Sequence, residues 1–160
     1  MKTTMIAAIS ADGKISTEQE TEEQHWLSPE DHEHLHCYLR SAKCLIMGSK
    51  TYEIVKSKIN PSRNLLRIVI TSNTGKYAVE SKPDKLEFTS EQPKELIKAL
   101  KSRGFAEVLL LGGSTVYGDF LSLGLVDEIV LTVEPCIIGK GVPILQSYQE
   151  PRQLCLKSIL

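Results

Sequence analysis

The sequence predicts an α/β domain built on a mostly parallel sheet with helices on both faces. Three observations carry that prediction. Short aliphatic runs alternate with helix-length segments along most of the chain. Two of those runs end in the same kind of corner, glycine followed by Ser/Thr residues, at Gly48-Ser49-Lys50-Thr51 and at Gly112-Gly113-Ser114-Thr115. The last two strand-like segments, 128–134 and 153–159, follow each other with no helical segment between them, which predicts an antiparallel C-terminal edge.

Taken in order, Thr4 to Ile9 is an apolar run that reads as the first strand. It is closed by Ala11-Asp12-Gly13-Lys14, a turn of the Asp-Gly kind. Residues 17–24 are polar and acidic and predict a solvated loop. Ser28-Pro29-Glu30-Asp31 is a helix start, with Ser28 as N-cap, proline at the first position and Asp31 closing a capping box. That helix is expected to run to about Ser41, with Asp31, Leu35, Tyr38 or Leu39, and Ala42 along one inward stripe. Cys44 to Met47 is the next buried strand, Arg67 to Thr71 the third, and Lys85 to Thr89 a weaker fourth. Glu91 to Arg103, begun through Pro93 and closed by Gly104, predicts a helix with Leu96, Ile97 and Leu100 inward. Val108 to Leu111 reads as the central strand, and Ser114 to Leu121 as the helix after it. No repeat or low-complexity tract interrupts the pattern, so one domain spanning residues 1–160 is expected.

Composition narrows the function classes. A net charge of −1 with no basic block gives nucleic acid no electrostatic footprint. The apolar runs are too short to span a bilayer, and Met1-Lys2 leads straight into a strand with no apolar leader. Cys37, Cys44, Cys136 and Cys155 lack CxxC spacing and a disulfide-dense pattern, which suits buried small hydrophobes in a reducing cytoplasm. The expectation is a cytoplasmic protein acting on a small molecule, with neither nucleic acid nor membrane as partner.

The chemistry is expected where the strands run out. In parallel sheets ligands bind beyond the carboxyl ends of the strands. Three polar or glycine-bearing strand ends fall there: the Gly48 corner, Thr71-Ser72-Asn73, and Gly112-Gly113. Leu109-Leu110-Leu111 running into Gly112-Gly113-Ser114-Thr115-Val116-Tyr117 brings bare backbone N–H groups to a helix start. Such a place favours an anion, for example a dinucleotide pyrophosphate. The plain reading of any one corner is tight backbone packing. Three on one edge point instead to a single phosphate-rich ligand.

The blocks Met5 to Ile15, Trp26-Leu27-Ser28-Pro29-Glu30-Asp31, Ile46 to Glu53 and Leu111 to Tyr117 resemble, in order and spacing, the dihydrofolate reductase superfamily. Asp12-Gly13-Lys14-Ile15, residues 63–70, Gly124-Leu125-Val126-Asp127-Glu128 and Pro135 to Gly141 are more similar to its riboflavin-biosynthesis pyrimidine reductase (RibD C-terminal) branch. The resemblance implies a three-layer α/β/α fold and NADPH as cofactor. It implies that Gly48, Ser49, Lys50 and Thr51 hold the adenosine-side phosphates, and that Thr71 and Ser72 lie near the 2′-phosphate. Gly112, Gly113, Ser114, Thr115, Val116 and Tyr117 would form the pyrophosphate turn, with the two glycines also beside the nicotinamide. Ala7, Ala8 and Ile15 would sandwich nicotinamide and substrate. Asp31 takes the position of the active-site carboxylate, with Thr132 behind it. A homodimer is also implied, with Leu131, Val133 and Ile137 on the final strands as its contact; completing the core is the other reading of those three.

The implied chemistry is coherent. A hydride from a dihydronicotinamide goes to a carbon–nitrogen double bond, and the nitrogen must gain a proton. A carboxylate at Asp31 accepts hydrogen bonds from an aminopyrimidine N–H edge and promotes that protonation. Its bland alternative is a helix N-terminal charge or cap. Lys50 and the corner hydroxyls suit a 2′-phosphate, hence NADPH over NADH. The substrate expected first is a ribosylaminopyrimidine of the 5-amino-6-(5-phosphoribosylamino)uracil type, with a pterin as the alternative. The chain departs from the pyrimidine reductases after Thr51, where Tyr52-Glu53-Ile54-Val55-Lys56 replaces the Asp-Pro segment and basic residue that grip a ribose phosphate. Arg63 and Arg67 are the candidates for a folate-tail clamp, and Lys140 for a substrate phosphate.

Two readings from other classes compete. His32-Glu33-His34-Leu35-His36 fits the H-E-x-x-H pattern of zinc hydrolases. The stripe through Asp31 and Leu35 turns His32 and His36 outward, however, and no histidine follows downstream, so no metal is expected. The other competitor is a catalytically silent nucleotide- or partner-binding domain on the same scaffold.

Overall fold

In the computed structural model, residues 1–18, 25–60, 62–146 and 148–159 are described; most of the acidic loop expected at 17–24 lies outside them. The elements in chain order are β1 (Lys2–Ser10), β2 (Lys14–Thr17), α1 (Pro29–Ser41), β3 (Cys44–Gly48), α2 (Ser49–Val55), β4 (Leu66–Ile70), β5 (Leu86–Thr89), α3 (Pro93–Ser102), β6 (Glu107–Leu110), α4 (Ser114–Ser122), β7 (Glu128–Glu134) and β8 (Gly141–Pro143). Short 3₁₀ turns at Lys56–Lys58 and Thr74–Tyr77 complete them.

Six strands make the main sheet, in the order β5-β4-β3-β6-β1-β7. All five pairings in it are parallel. Strand alternation builds the layers on either side. Cys44 and Ile46 of β3, Leu66 and Ile68 of β4, and Val108 and Leu110 of β6 pack with Leu96 and Leu100 of α3 and with Val116, Tyr117 and Phe120 of α4. The intervening residues Leu45, Met47, Val69 and Leu109 face the other way. They pack with Tyr52 of α2 and with Tyr38 and Leu39 of α1. The result is the expected α/β/α sandwich with β3 and β6 in the middle.

The C-terminal edge differs in its details. The antiparallel element is a separate two-stranded ribbon of β2 with β8, registered Ser16↔Val142 and Thr17↔Gly141. β7 instead lies parallel to β1. Residues 153–159 form no strand: Leu154, Leu156 and Ile159 are exposed, and Lys157 reaches the body through an ion pair to Glu128 at 3.0 Å. The alternation there is strand-like, but β propensity without a ladder partner makes no strand.

Among the cysteines, only Cys44 is the buried hydrophobe expected of all four, and burial pushes its thiol up to about 12. Cys37 and Cys155 are exposed, because Cys37 falls on the outer face of α1 and Cys155 on the unpaired tail. On β7, Leu131, Val133 and Ile137 beyond it are 42%, 61% and 77% exposed, so they do not complete the core. No helix among the described residues is long and apolar enough to cross a membrane.

Candidate active site

A difference in strand length makes the cavity. β1 pairs with β6 only from Lys2↔Glu107 to Met5↔Leu110, yet continues along β7 to Ser10↔Glu134. Beyond Met5 the β6 side of β1 is therefore free of the ladder. A cavity of about 860 Å³ lies there, lined by Ile6, Ala7 and Ala8 of β1 and by the residues that leave β3, β4 and β6. The Tyr117 hydroxyl donates to the Ile6 carbonyl at 2.6 Å, which satisfies one backbone acceptor on this open edge. Alternation turns the N–H and C=O of Ala8 to the same side, where a planar ligand edge can meet them.

The two glycine corners meet each other. Gly48 N–H donates to Gly112 C=O at 2.8 Å, so the ends of β3 and β6 form one surface. A methyl group has little room on it: a Cβ on Gly48 would lie 3.3 Å from Val116 Cγ2, and one on Gly113 would lie 3.3 Å from Thr51 Oγ1. Gly112 has φ +117°, a conformation that L side chains rarely adopt, and a Cβ there would lie 3.1 Å from the Tyr117 hydroxyl. Gly113 is the N-cap of α4 and supplies no side-chain cap, so the first-turn amides are left for a ligand or water. Ser49, Lys50 and Thr51 line the cavity from α2. Because Gly48 pairs with Ile70, Thr71 and Ser72 leave the sheet beside them and line it too. Ile15 of β2, together with Ser114, Thr115, Val116 and Tyr117 of α4, completes the set expected from sequence.

Asp31 and Thr132 fare differently. Asp31 is buried on the inner face of α1 and lines the cavity, flanked there by Leu27 and Leu35. Its backbone N–H donates to Ser28 Oγ at 3.1 Å, as a cap requires. The return half of the capping box is absent. Ser28 N–H and Oγ–H both donate instead to Glu134 Oε1, at 2.9 and 2.7 Å. Asp31 is thereby relieved of capping, and its carboxyl group has no hydrogen-bond or ion-pair partner among the described residues. Asp31 nevertheless stands in the first turn of α1, where its charge also suits the helix N-terminus. Thr132 sits on β7 opposite Ala8, one strand beyond the open edge; it does not line the cavity and makes no hydrogen bond to Asp31. The buried residue of β7 that reaches α1 is Glu134, which sequence reasoning missed.

Other expectations resolve as plainly. His32 and His36 are exposed on the outer face of α1, and His32 Nδ1 lies 3.0 Å from Ser28 O. Arg67 is buried below the cavity and donates to the carbonyls of Leu65 and Asn60 at 3.1 and 3.2 Å, so it anchors the loop before β4 rather than a ligand. Neither Arg63 nor Lys140 lines the cavity. The β2–β8 ribbon, unforeseen in the sequence, does: Gly141, Val142 and Pro143 cover α4, and Ser114 Oγ donates to Pro143 O at 2.5 Å. Asp12 ties down the loop before β8. It accepts from Ser10 Oγ at 2.6 Å and from the amides of Ile138 and Gly139 at 3.0 and 2.8 Å.

Comparison with known proteins agrees with this architecture. The family model described as the RibD C-terminal domain matches residues 2–160. YwjB of Bacillus subtilis (strain 168), an uncharacterized protein, is 27% identical over 161 residues, covering 98% of this chain and 89% of that one. YyaP of the same organism, also uncharacterized, is 33% identical over 57 residues, 36% of this chain and 30% of its own. Among solved structures, the "Putative riboflavin biosynthesis protein" of Shewanella sp. PV-4 superposes with a TM-score of 0.78 at 24% identity, covering 94% of this chain and 86% of that one. A diaminohydroxyphosphoribosylaminopyrimidine deaminase/5-amino-6-(5-phosphoribosylamino)uracil reductase from Thermotoga maritima superposes with a TM-score of 0.75 at 17% identity. It is matched over 98% of this chain and 51% of its own, so this chain spans about half of that protein. At these identities the two structures speak to the fold.

Proposed function

Because the chain belongs to the RibD C-terminal domain family, we propose that it is an NADPH-dependent reductase acting on the carbon–nitrogen double bond of an amino-heterocycle. One observation carries the reading: the Gly48 and Gly112-Gly113 corners are joined by a hydrogen bond on the wall of the same cavity that Asp31 lines. A methyl group on either corner would crowd that wall, which suits close approach of a dinucleotide backbone.

The residues present fit the coenzyme. The uncapped first turn of α4 suits its pyrophosphate. Lys50, with Ser49, Thr71 and Ser72, offers one cation and three hydroxyls to a 2′-phosphate. Ala8 offers a backbone donor and acceptor on the open edge of β1. When bound, NADPH supplies the hydride. The chain's own residues do the rest. Ile6, Leu27, Leu35 and Leu111 exclude water and orient a flat ring, while Asp31 accepts its N–H edge and raises the basicity of the nitrogen to be protonated. Family membership, with a neighbour that is itself a 5-amino-6-(5-phosphoribosylamino)uracil reductase, supports a ribosylaminopyrimidine skeleton.

Fluorescence titration with NADPH and NADH, followed by turnover assays, tests the proposal. NADPH is expected to bind more tightly than NADH. Asp31→Asn is expected to lose about 100-fold or more in turnover while coenzyme affinity stays within about twofold. Full turnover in that variant overturns the role of Asp31, and wild-type protein that binds NADPH but turns over no heterocycle leaves a silent binding domain.

A further inference from the structure

We propose that the substrate region of this cavity takes an uncharged or cationic amino-heterocycle bearing no phosphate or carboxylate tail. The proposal rests on the reductase reading above and narrows its substrate.

The charges on the cavity wall carry it. Among the described residues, the lining holds three carboxylates, Glu18, Asp31 and Asp119, against one cation, Lys50. None of the three makes an ion pair or side-chain hydrogen bond to another described residue, but Glu18 and Asp119 are exposed to solvent and only Asp31 is buried. The one cation stands on the coenzyme's side, next to Thr71 and Ser72 by the Gly48↔Ile70 register. Leu27 and Leu35, before and on α1, line the cavity with Asp31, and Ile54 and Val55 of α2 add further aliphatic lining. In such apolar surroundings, charge acts over a longer reach than in water. A substrate phosphate here meets an unpaired carboxylate and no cation to hold it. Bound coenzyme adds its own phosphates to the same cavity and deepens the penalty.

Sequence supplies the second, independent line. Between Lys14 and Arg40 the chain carries seven Asp or Glu residues and not one Lys or Arg. That stretch therefore has no Lys or Arg to offer a substrate anion. The remaining basic candidates are spent or remote: Arg67 is committed to the carbonyls of Leu65 and Asn60, and Lys140 lies outside the lining on the exposed loop before β8. What the site does offer is one buried carboxylate between apolar walls, the complement of a flat ring with an N–H edge.

The test uses protein saturated with NADP+, which cannot reduce the probes during titration, and two matched pairs of probes. One pair is 5-amino-6-(ribosylamino)uracil and its 5′-phosphate; the other is 7,8-dihydropterin and dihydrofolate. Calorimetric titration is expected to show each tail-free member binding about tenfold or more tightly than its anionic partner, with the gap narrowing as salt is raised. Glu18→Lys is expected to narrow it further by strengthening the phosphorylated ligand. Tighter binding of the phosphorylated or glutamyl member overturns the proposal, and if Lys140→Ala abolishes that binding, Lys140 is the phosphate ligand. Failure of all four to bind coenzyme-loaded protein also overturns it. Failure of the coenzyme itself to bind is a separate result, seen before any probe is added, and removes the reductase reading.

Discussion

Removing the Glu134 carboxylate is expected to loosen the start of α1. Glu134 is 3% exposed at the end of β7, and one of its oxygens accepts both the amide and the hydroxyl of Ser28, at 2.9 and 2.7 Å. The same Ser28 hydroxyl caps Asp31 N–H at 3.1 Å, so one carboxylate orients the cap and the helix together. A hydrogen bond to a charged group is worth about 1.5–3 kcal/mol net, so two give about 3–6 kcal/mol. Removing a buried charge also relieves its desolvation, which favours the lower end, about 3 kcal/mol for Glu134→Ala. For a chain of this size that is a fall in Tm of about 6–12 °C. Urea unfolding followed by circular dichroism measures the loss, and amide exchange at Ser28 and Asp31 shows whether it starts at the helix end. Glu134→Gln keeps an acceptor and is expected to restore about half the loss. A loss below about 1 kcal/mol in Glu134→Ala, with both amides still protected, refutes the argument.

Further outcomes follow from other contacts. The Asp12 carboxyl is held at about 2, first by the Ser10 hydroxyl and then by the amides of Ile138 and Gly139. A folded value below the unfolded one makes its stabilisation present above about pH 4 and lost as pH falls toward 2. NMR titration of the Ile138 and Gly139 amides is expected to show a midpoint near 2; a midpoint near 4 counts against the tether. Tyr117→Phe leaves the Ile6 carbonyl without its hydroxyl partner and is expected to cost about 1–3 kcal/mol in urea unfolding. Burial raises the Tyr117 hydroxyl above the usual tyrosine range, so its contribution holds below about pH 10 and erodes above it, a slope the variant is expected to lack. If Leu131 and Val133 join two copies along β7, sedimentation gives a dimer that Val133→Asp dissociates; a monomeric wild type disposes of the idea.

The parallel frame and its corners were legible because local chemistry decides them. Ser28 and Pro29 start α1 where their types demand, and Leu96 and Leu100 mark the buried face of α3. Both glycine corners appear at the predicted strand ends. Long-range partners were not legible. Asp31 was assigned the return half of its own capping box, but that bond comes from Glu134, 106 residues away from Ser28. Lys14–Thr17 carries too short a pattern to announce a strand, and it exists only because Gly141–Pro143 comes to pair with it. Residues 153–159 show the converse, a persuasive alternation with no ladder to join. Thr132 was placed by analogy, and the side chain that makes the contact, Glu134, lies two residues further along the same face of β7.

Asp31 enters on a helix hung from the tip of β7, whereas the glycine corners spring from β3 and β6 in the middle of the sheet. On the proposed reading, recognition of the heterocycle and recognition of the dinucleotide belong to pieces of chain that can drift apart in evolution. Lineages sharing this scaffold are free to retool the 27–35 stretch for a new metabolite while inheriting the reductant's berth unchanged.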